Sequence, residues 1–198
     1  NGTDPLLLVL SSDHKIDNKE NFKQVIKDSL IEAYNGRLVT FGILPSKPET
    51  GYGYIKSCEE LSGSKSSSKI ENFVEKPNIE SAKKFIEDKH YLWNSGIFLF
   101  KASIYLKELK KFEPNIFKIC NKALKKSSID LDFLRIDEET FMDCPTKPID
   151  IAVMEKTNLG SVLSLQVGWD DIGTWKSVWK NSKQDQNSNS LKGKVILN

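Results

Sequence analysis

The chain has 198 residues, of which 38% are hydrophobic and 28% charged, a composition typical of a globular domain with one hydrophobic core. Its 29 Lys and Arg residues nearly balance 27 Asp and Glu residues and are scattered along the sequence, which argues against a nucleic-acid partner. Three cysteines without C-x-x-C spacing indicate neither a disulfide framework nor a zinc site. The longest apolar run, Leu6 to Leu10, is too short to span a bilayer, so we expect a cytoplasmic protein without a membrane partner.

The first predicted element is a strand from Pro5 to Leu10 that is apolar at every position after the proline. Such a strand is expected in the middle of a parallel sheet, with neighbours on both sides. Because the chain opens on it without an initiator Met, we expect the first part of the domain to lie upstream. Asp13 follows the strand, where open α/β sheets bind ligands, and is a candidate metal or hydroxyl ligand. The alternative is a plain turn before a helix capped by Asp17 or Asn18.

Helical spacing of apolar residues predicts an amphipathic helix from Lys19 to Tyr34, followed by a strand from Leu38 to Ile43. Strand, helix and strand with short connections indicate a parallel crossover. The next loop contains Gly51 and Gly53, where a missing Cβ lets backbone amides approach a ligand, although a hairpin kink would also explain two such glycines. The stretch from Ser62 to Ser68 is predicted to be a flexible loop without chemistry.

An adjacent anion and cation, Glu75 and Lys76, stand where a strand ending at Val74 meets Pro77. Because a proline keeps the preceding residue out of the helical region, we expect an extended corner whose two side chains point in opposite directions. A carboxylate accepts hydrogen bonds from sugar hydroxyls and an ammonium pairs with phosphate, so the pair would suit a sugar phosphate. The alternative is an exposed Glu and Lys beside a turn.

The middle of the chain is predicted to be mostly helical scaffold around one core strand, the run from Ile97, whose small polar start is Asn94, Ser95 and Gly96. Asn94 offers both a donor and an acceptor to a sugar hydroxyl, or is a turn residue. The predicted helices are Asn78 to Lys89, Ala102 to Phe112, Pro114 to Lys126, Asp130 to Met142 and Ile151 to Lys156.

Two adjacent carboxylates, Asp170 and Asp171, follow a last predicted strand and are hard to explain by packing between a glycine and a tryptophan. Thr174 can cap a final helix. Beyond Lys180 polar residues dominate until Val195-Ile196-Leu197. We therefore predict a catalytic-domain fragment over residues 1–181 and a linker towards a further element over 182–198.

Six blocks of the sequence, taken in order, resemble the bacterial mannose-1-phosphate guanylyltransferases. The blocks are residues 8–14, 49–55, 73–77, 93–98, 149–157 and 168–175. Members of that family make GDP-mannose and pyrophosphate from GTP and mannose 1-phosphate. The resemblance implies an α/β fold, a Rossmann-like mixed sheet flanked by helices, which would be N-terminally incomplete in this chain.

The resemblance also implies roles for individual residues on the metal and phosphate side. Asp13 and Asp171 match the two acidic positions that hold Mg²⁺ in sugar nucleotidyltransferases, and the role of Asp170 stays open. Lys76 matches the residue that binds the sugar phosphate. With Asp13 and Asp171 it forms the expected catalytic set for in-line attack on the α-phosphate of GTP, which needs no nucleophilic side chain.

On the sugar side, the resemblance implies that Glu75 binds mannose hydroxyls and that the Gly53 amide and Asn94 face the sugar. Asp150 and Lys156 fall in the next block and are weaker candidates for the sugar-phosphate side.

One family feature is absent from this sequence. Family members carry a Gly-Gly-x-Gly-x-Arg loop that cradles the triphosphate, and nothing of the kind occurs in the 198 residues. Three alternatives stay open: the sugar-binding part of a working enzyme, a catalytically inactive sugar-phosphate-binding or pairing module, and a nucleotidyltransferase for another sugar. We expect no turnover from this chain alone, and exposed sheet edges could pair two copies as a homodimer.

Overall fold

The computed structural model describes residues 3–61 and 66–195, which form a mixed α/β fold. The strands in chain order are β1 (Leu6–Val9), β2 (His14–Ile16), β3 (Leu38–Ile43), β4 (Tyr54–Ser57), β5 (Ser67–Val74), β6 (Tyr91–Lys101), β7 (Ser128–Asp130), β8 (Phe133–Arg135), β9 (Gly160–Ser164) and β10 (Trp169–Asp171). The helices are α1 (Lys19–Tyr34), α2 (Ile79–Glu87), α3 (Ala102–Phe112), α4 (Pro114–Lys125), α5 (Glu138–Met142), the π-helical turn Asp150–Met154 and α6 (Trp175–Lys180).

The central sheet has the strand order β1-β6-β3-β9-β5-β4, and β4 also pairs with β6. β3 and β9 run parallel, whereas β6 is antiparallel to β1, β3 and β4. The sheet is therefore mixed, as the resemblance implies, and β6 connects most of it.

Helices cover both faces of this sheet because side chains alternate along each strand. On one face Val39 and Phe41 pack with the apolar side of α1. On the other, Leu38 and Phe98 pack with residues of α3, α4 and the π-helical turn. Thr40 is fully buried between two apolar neighbours on β3.

The predicted bounds of α1 are confirmed, and its ends follow local rules. The Asn18 side chain accepts a hydrogen bond from the Asn21 amide at 2.9 Å, which satisfies one of the unpaired amides at the start of the helix. After the helix, Gly36 has a φ of +84°, the left-handed conformation that glycine adopts without strain.

Among the described residues the first strand does not have the parallel neighbours that its apolar sequence predicts. In the described part of the chain β1 pairs only with β6, antiparallel, at the edge of the sheet. Leu7 and Leu8 are each 40% exposed. β1 and β3 do run parallel, as the crossover predicts, but β6 lies between them. An apolar run shows that a strand favours burial, and it does not show how many neighbours the strand has.

The predicted helix from Asp130 to Met142 is also wrong over its first half. β7 and β8 form a small antiparallel hairpin whose turn holds Leu131 in the left-handed region, with a φ of +53°. The helical part is α5 alone, which begins after Asp137, whose side chain accepts from the Thr140 amide at 3.0 Å. β-branched and aromatic residues favour the strands, and this local preference outweighs a weak helical spacing.

Parts of two other predictions lie outside the described residues. These are positions 62–65 of the predicted serine-rich loop and positions 196–198 at the predicted start of a further element. Among the described residues, none of the helices has the length and apolar character needed to cross a membrane.

Candidate functional site

Two acidic residues distant in sequence, Asp13 and Asp171, meet beside a two-stranded sheet. β2 and β10 pair antiparallel and bring His14 opposite Asp171, and the Ile172 amide donates to the Asp13 carbonyl at 2.9 Å. Ligand atoms of Asp13, His14 and Asp171 all lie within 4.8 Å of one another. The chain therefore builds a small acidic group from the start of β2 and the end of β10.

The donor set of this group fits a hard divalent cation. Carboxylate oxygens are the ligands that Mg²⁺ prefers. The Gly173 amide donates to Asp171 Oδ1 at 2.8 Å and so fixes that carboxylate. A Cβ on residue 173 would lie 2.9 Å from Asp171 Oδ1 and 3.6 Å from Asp13 Oδ2, so glycine keeps the space beside both carboxylates open.

His14 leaves the negative charge of this group uncompensated. Burial lowers the pKa of His14, although Asp171 and Asp13 act in the opposite direction, so the imidazole is neutral at neutral pH. Its Nδ1 atom is buried and has no hydrogen-bond partner among the described residues. The chain thus supplies two carboxylates and one neutral ring at this point.

The carboxylate of Asp170 contacts the end of α6. Its Oδ2 atom accepts from Asn181 Nδ2 at 2.7 Å and lies 3.3 Å from Lys180 Nζ. Asp170 therefore ties α6 to β10, which is a structural contact.

Glu75 and Lys76 form an ion pair at the end of β5, with Lys76 Nζ 3.5 Å from Glu75 Oε1. The Glu75 side chain is 17% exposed and that of Lys76 is 65% exposed, so the ammonium faces solvent. The expected extended corner with opposed side chains is wrong, because Lys76 has a φ of +47°. Pro77 disfavours the right-handed helical conformation for the backbone of Lys76, the residue before it. The left-handed conformation stays available and costs a residue with a Cβ about 1–2 kcal/mol.

Gly53 makes room for the Glu75 carboxylate. A Cβ on residue 53 would lie only 2.6 Å from Glu75 Oε2 and 3.5 Å from the Cβ of Asn94. The Gly53 carbonyl accepts from the Asn94 amide at 2.8 Å. The structure therefore brings three of the predicted sugar-side residues into contact.

Asp150 joins this group through Asn94. Asn94 Nδ2 donates to Asp150 Oδ1 at 2.9 Å, and Asn94 Oδ1 accepts from the Gly96 amide at 3.2 Å. Asp150 opens the π-helical turn Asp150–Met154. Single π-helical turns occur frequently at functional sites.

The sugar-side carboxylates repel one another. Burial and then the charge of Asp150 raise the pKa of Glu75, while Lys76 lowers it. Burial also raises the pKa of Asp150, and hydrogen bonds, including the one from Asn94, act against it. Glu155 adds a further negative charge and accepts from the Glu75 amide at 3.4 Å. Hydroxyl donors of a ligand would lower the energy of such a group.

Lys156 is the predicted site residue that lies elsewhere. Its ammonium binds the buried carboxylate of Glu113, which also binds Lys147 at 2.9 Å. The structure therefore does not bring Lys156 to Glu75 and Asp150.

The acidic group borders the sugar-side group at Gly96. Gly96, whose amide holds Asn94, has a φ of +68°, and a Cβ there would lie 3.6 Å from His14 Cε1. The Tyr52 ring stands 5.3 Å from the rings of Trp93 and Trp169, and Trp169 stands 5.2 Å from His14.

An open cleft of about 360 Å³ lies beside the acidic group. Burial and the nearby carboxylates raise the pKa of Tyr52, which lines it, to about 12, so the phenol keeps its proton. The lining residues are Lys47, Glu49, Gly51, Tyr52, Asp170, Asp171, Gly173, Thr174, Lys176, Ser177 and Lys180.

Sequence reasoning missed four residues that shape this site: Thr40, Tyr52, Gly96 and Gly173. The two glycines stand next to predicted site residues in the chain, so their spacing could have indicated them. Thr40 carries no such signal, because it is one polar residue in an otherwise apolar strand.

Comparisons with known proteins agree with this arrangement. Residues 1–188 match the family model described as nucleotidyl transferase. The mannose-1-phosphate guanylyltransferase of Salmonella montevideo is 47% identical over 195 residues, which cover 96% of this chain and 41% of that protein. The chain thus spans less than half the length of this curated relative.

Two solved structures are also similar. A Helicobacter pylori protein described as mannose-6-phosphate isomerase is 33% identical, with a TM-score of 0.78, over 86% of this chain and 66% of that one. A Thermus thermophilus protein described as mannose-1-phosphate geranyltransferase is 30% identical, with a TM-score of 0.76, over 90% of this chain and 50% of that one.

Proposed function

Because the chain belongs to the nucleotidyl transferase family, we propose that it supplies the sugar-phosphate and metal half of the active site of a mannose-1-phosphate guanylyltransferase. The observation that carries this proposal is that the acidic group of Asp13 and Asp171 borders, at Gly96, the group of Glu75, Lys76 and Asn94. A sugar phosphate and a nucleotide together require three things: an acidic site for a cation, a lysine for the phosphate, and side chains that accept hydrogen bonds from sugar hydroxyls.

In the proposed reaction an oxygen of mannose 1-phosphate attacks the α-phosphorus of GTP. The new P–O bond forms as the bond to the β-phosphate breaks, so that GDP-mannose and pyrophosphate result. Lys76 binds the sugar phosphate with its exposed ammonium. Glu75 accepts hydrogen bonds from sugar hydroxyls, and these contacts orient the attacking oxygen.

Asp13 and Asp171 are the residues that would hold Mg²⁺, and the bound ion would neutralise the phosphate charges during transfer. The remaining work of these residues is electrostatic and positional. We propose no side chain as nucleophile, since the attacking oxygen belongs to the sugar phosphate.

A sugar-phosphate-binding module without transfer is the second candidate. A transferase for another sugar is the third alternative.

Calorimetric titration of the chain with mannose 1-phosphate and Mg²⁺ tests the site. We expect tighter binding than for glucose 1-phosphate or free mannose, because Lys76 needs the phosphate and Glu75 needs the hydroxyl arrangement. Lys76→Ala should weaken binding by about 10-fold, equal to about 1.4 kcal/mol. Asp171→Asn should remove the dependence on Mg²⁺. The matched control is Lys83→Ala, which removes an exposed lysine from α2 and should change nothing.

The outcomes separate the candidates. Unchanged binding in both Lys76→Ala and Asp171→Asn would show that the site assignment is wrong. Tighter binding of glucose 1-phosphate would favour the third alternative. Because no turnover is expected from this chain alone, phosphorus NMR after addition of GTP tests that expectation, and formation of GDP-mannose would exclude a module that only binds.

A further inference from the structure

Thr40 is a buried hydroxyl that the proposed reaction does not use. It lies in the middle of β3 and is 0% exposed. Its Oγ1 atom is 3.1 Å from Asn94 Oδ1 and 3.0 Å from the Ile97 carbonyl oxygen. The residue therefore contacts the oxygen of the Asn94 side chain, whereas Asp150 contacts its nitrogen.

The Gly96 amide determines which way round the Asn94 side chain sits. A backbone N–H can only donate, so the Asn94 atom that faces it, 3.2 Å away, must be the oxygen. Asn94 Nδ2 then faces Asp150 and donates to it at 2.9 Å. The opposite orientation would place two donors face to face at Gly96 and two oxygens face to face at Asp150.

The Thr40 hydroxyl is a second donor to the Asn94 oxygen. Thr40 carries one hydroxyl proton, and the two oxygens that face it, Asn94 Oδ1 at 3.1 Å and the Ile97 carbonyl oxygen at 3.0 Å, can only accept, so they share this proton. Asn94 Oδ1 thus accepts from the Gly96 amide and, in part, from Thr40. Among the described residues Asn94 Nδ2 donates to Asp150 alone, which leaves its second N–H to donate to a ligand.

We propose that Thr40 is a positioning residue of the sugar site, which acts through Asn94 and orients it to donate a hydrogen bond to a sugar hydroxyl oxygen. This inference rests on the proposed function. It assigns complementary roles to two neighbours, because Glu75 accepts a hydroxyl hydrogen and Asn94 donates to a hydroxyl oxygen. Through the Asn94–Asp150 contact, Thr40 also holds the Asp150 carboxylate.

The test compares Thr40→Val, which keeps the shape and removes the hydroxyl, with Thr40→Ser, which keeps the hydroxyl. We expect Thr40→Val to weaken mannose 1-phosphate binding by about 3- to 10-fold, the range for one lost hydrogen bond. Thr40→Ser should bind like the wild type. Ser161→Ala is the matched control, because it removes another buried hydroxyl from β9, where Ser161 Oγ donates to the Ser68 carbonyl at 3.3 Å.

Two further measurements separate positioning from a general loss of stability. In an Asn94→Ala background, Thr40→Val should cost no further affinity, because the residue acts through Asn94. In the ligand-free protein, the ¹⁵N side-chain amide signals of Asn94 should shift in Thr40→Val and stay in place in Thr40→Ser and Ser161→Ala.

The proposal is overturned if Thr40→Val keeps wild-type affinity, if its effect persists without Asn94, or if the Asn94 amide signals do not move. A wild-type protein that fails to bind mannose 1-phosphate would instead overturn the proposed function. The amide signals of the free protein would then still decide whether Thr40 orients Asn94.

Discussion

Gly53 sets how closely the Glu75 carboxylate approaches the strand that carries Asn94. The space that a Cβ would need at residue 53 is already occupied, 2.6 Å away, by Glu75 Oε2. The contact atom is the end of a flexible side chain, which can rotate away more easily than backbone can move. The glycine therefore matters for the position of a functional group more than for the fold.

We accordingly expect Gly53→Ala to displace Glu75 and weaken mannose 1-phosphate binding by about 10-fold, since a hydrogen bond to a charged acceptor contributes about 1.5–3 kcal/mol. The free energy of unfolding should change by less than about 1 kcal/mol. Calorimetric titration and chemical denaturation measure the two effects. Gly51→Ala is the control, because its nearest side-chain atom, Glu49 Oε1, would be 3.6 Å away. Equal affinity of both variants would refute the role of Gly53.

The sequence indicates which charged residues belong to the site better than it indicates how these residues are arranged. Asp13, Glu75 and Asp171 stand at strand ends, and their residue types suggest cation and sugar chemistry directly. The left-handed backbone of Lys76 was not predictable, because Pro77 disfavours the right-handed helical region and leaves both the extended and the left-handed regions available. Thr40 was not predictable either, since its contact with Asn94 depends on how β6 pairs with β3 in the folded sheet, where the register shifts between Thr40 and Gly42.

At the scale of elements, Glu113 connects the helical part of the molecule to the segment that carries Asp150. It lies at the junction of α3 and α4, and its carboxylate binds Lys147 and Lys156, which stand on either side of the π-helical turn Asp150–Met154. These two lysines lower the pKa of Glu113. The contact therefore joins the segments on both sides of the turn to the junction of α3 and α4.

Glu113→Gln should lower the melting temperature at neutral pH, and the deficit should shrink in acid. A carboxyl whose pKa is lower in the folded state stabilises that state above the unfolded pKa, near 4.5, and loses the effect as pH falls through its folded value. Thermal denaturation of both proteins from pH 7 downwards measures this difference. Glu71→Gln, at an exposed pair with Lys56, should show little change. A deficit that is constant across pH would contradict the electrostatic explanation.

Helices were predicted more reliably than strand positions, for a physical reason. The spacing of apolar residues in α1 and the capping Asn18 are local, so the sequence shows them directly. The neighbours of a strand are set by distant parts of the chain. The antiparallel insertion of β6 between β1 and β3, and the β7–β8 hairpin, are both of this kind.

At the scale of the whole molecule, the sheet is tightly connected on one side and open on the other. β4 pairs with both β5 and β6, whereas β1 has β6 as its partner in the described part of the chain. Leu7, Leu8 and Val9 are 40–41% exposed along this edge. An apolar edge with free backbone donors and acceptors favours pairing with another strand.

We therefore expect the chain to associate in a concentration-dependent way through β1, and Leu8→Lys to weaken that association by about 10-fold, or about 1.4 kcal/mol. A lysine at an edge opposes pairing by its charge, while its long stem can cover the apolar surface next to Leu99, the residue opposite Leu8 on β6. Sedimentation velocity over a concentration series measures the effect. Ile31→Lys is the matched control, because it places the same charge at a 66% exposed position on α1, away from the edge. If both variants reduce association equally, net charge explains the change and the edge does not.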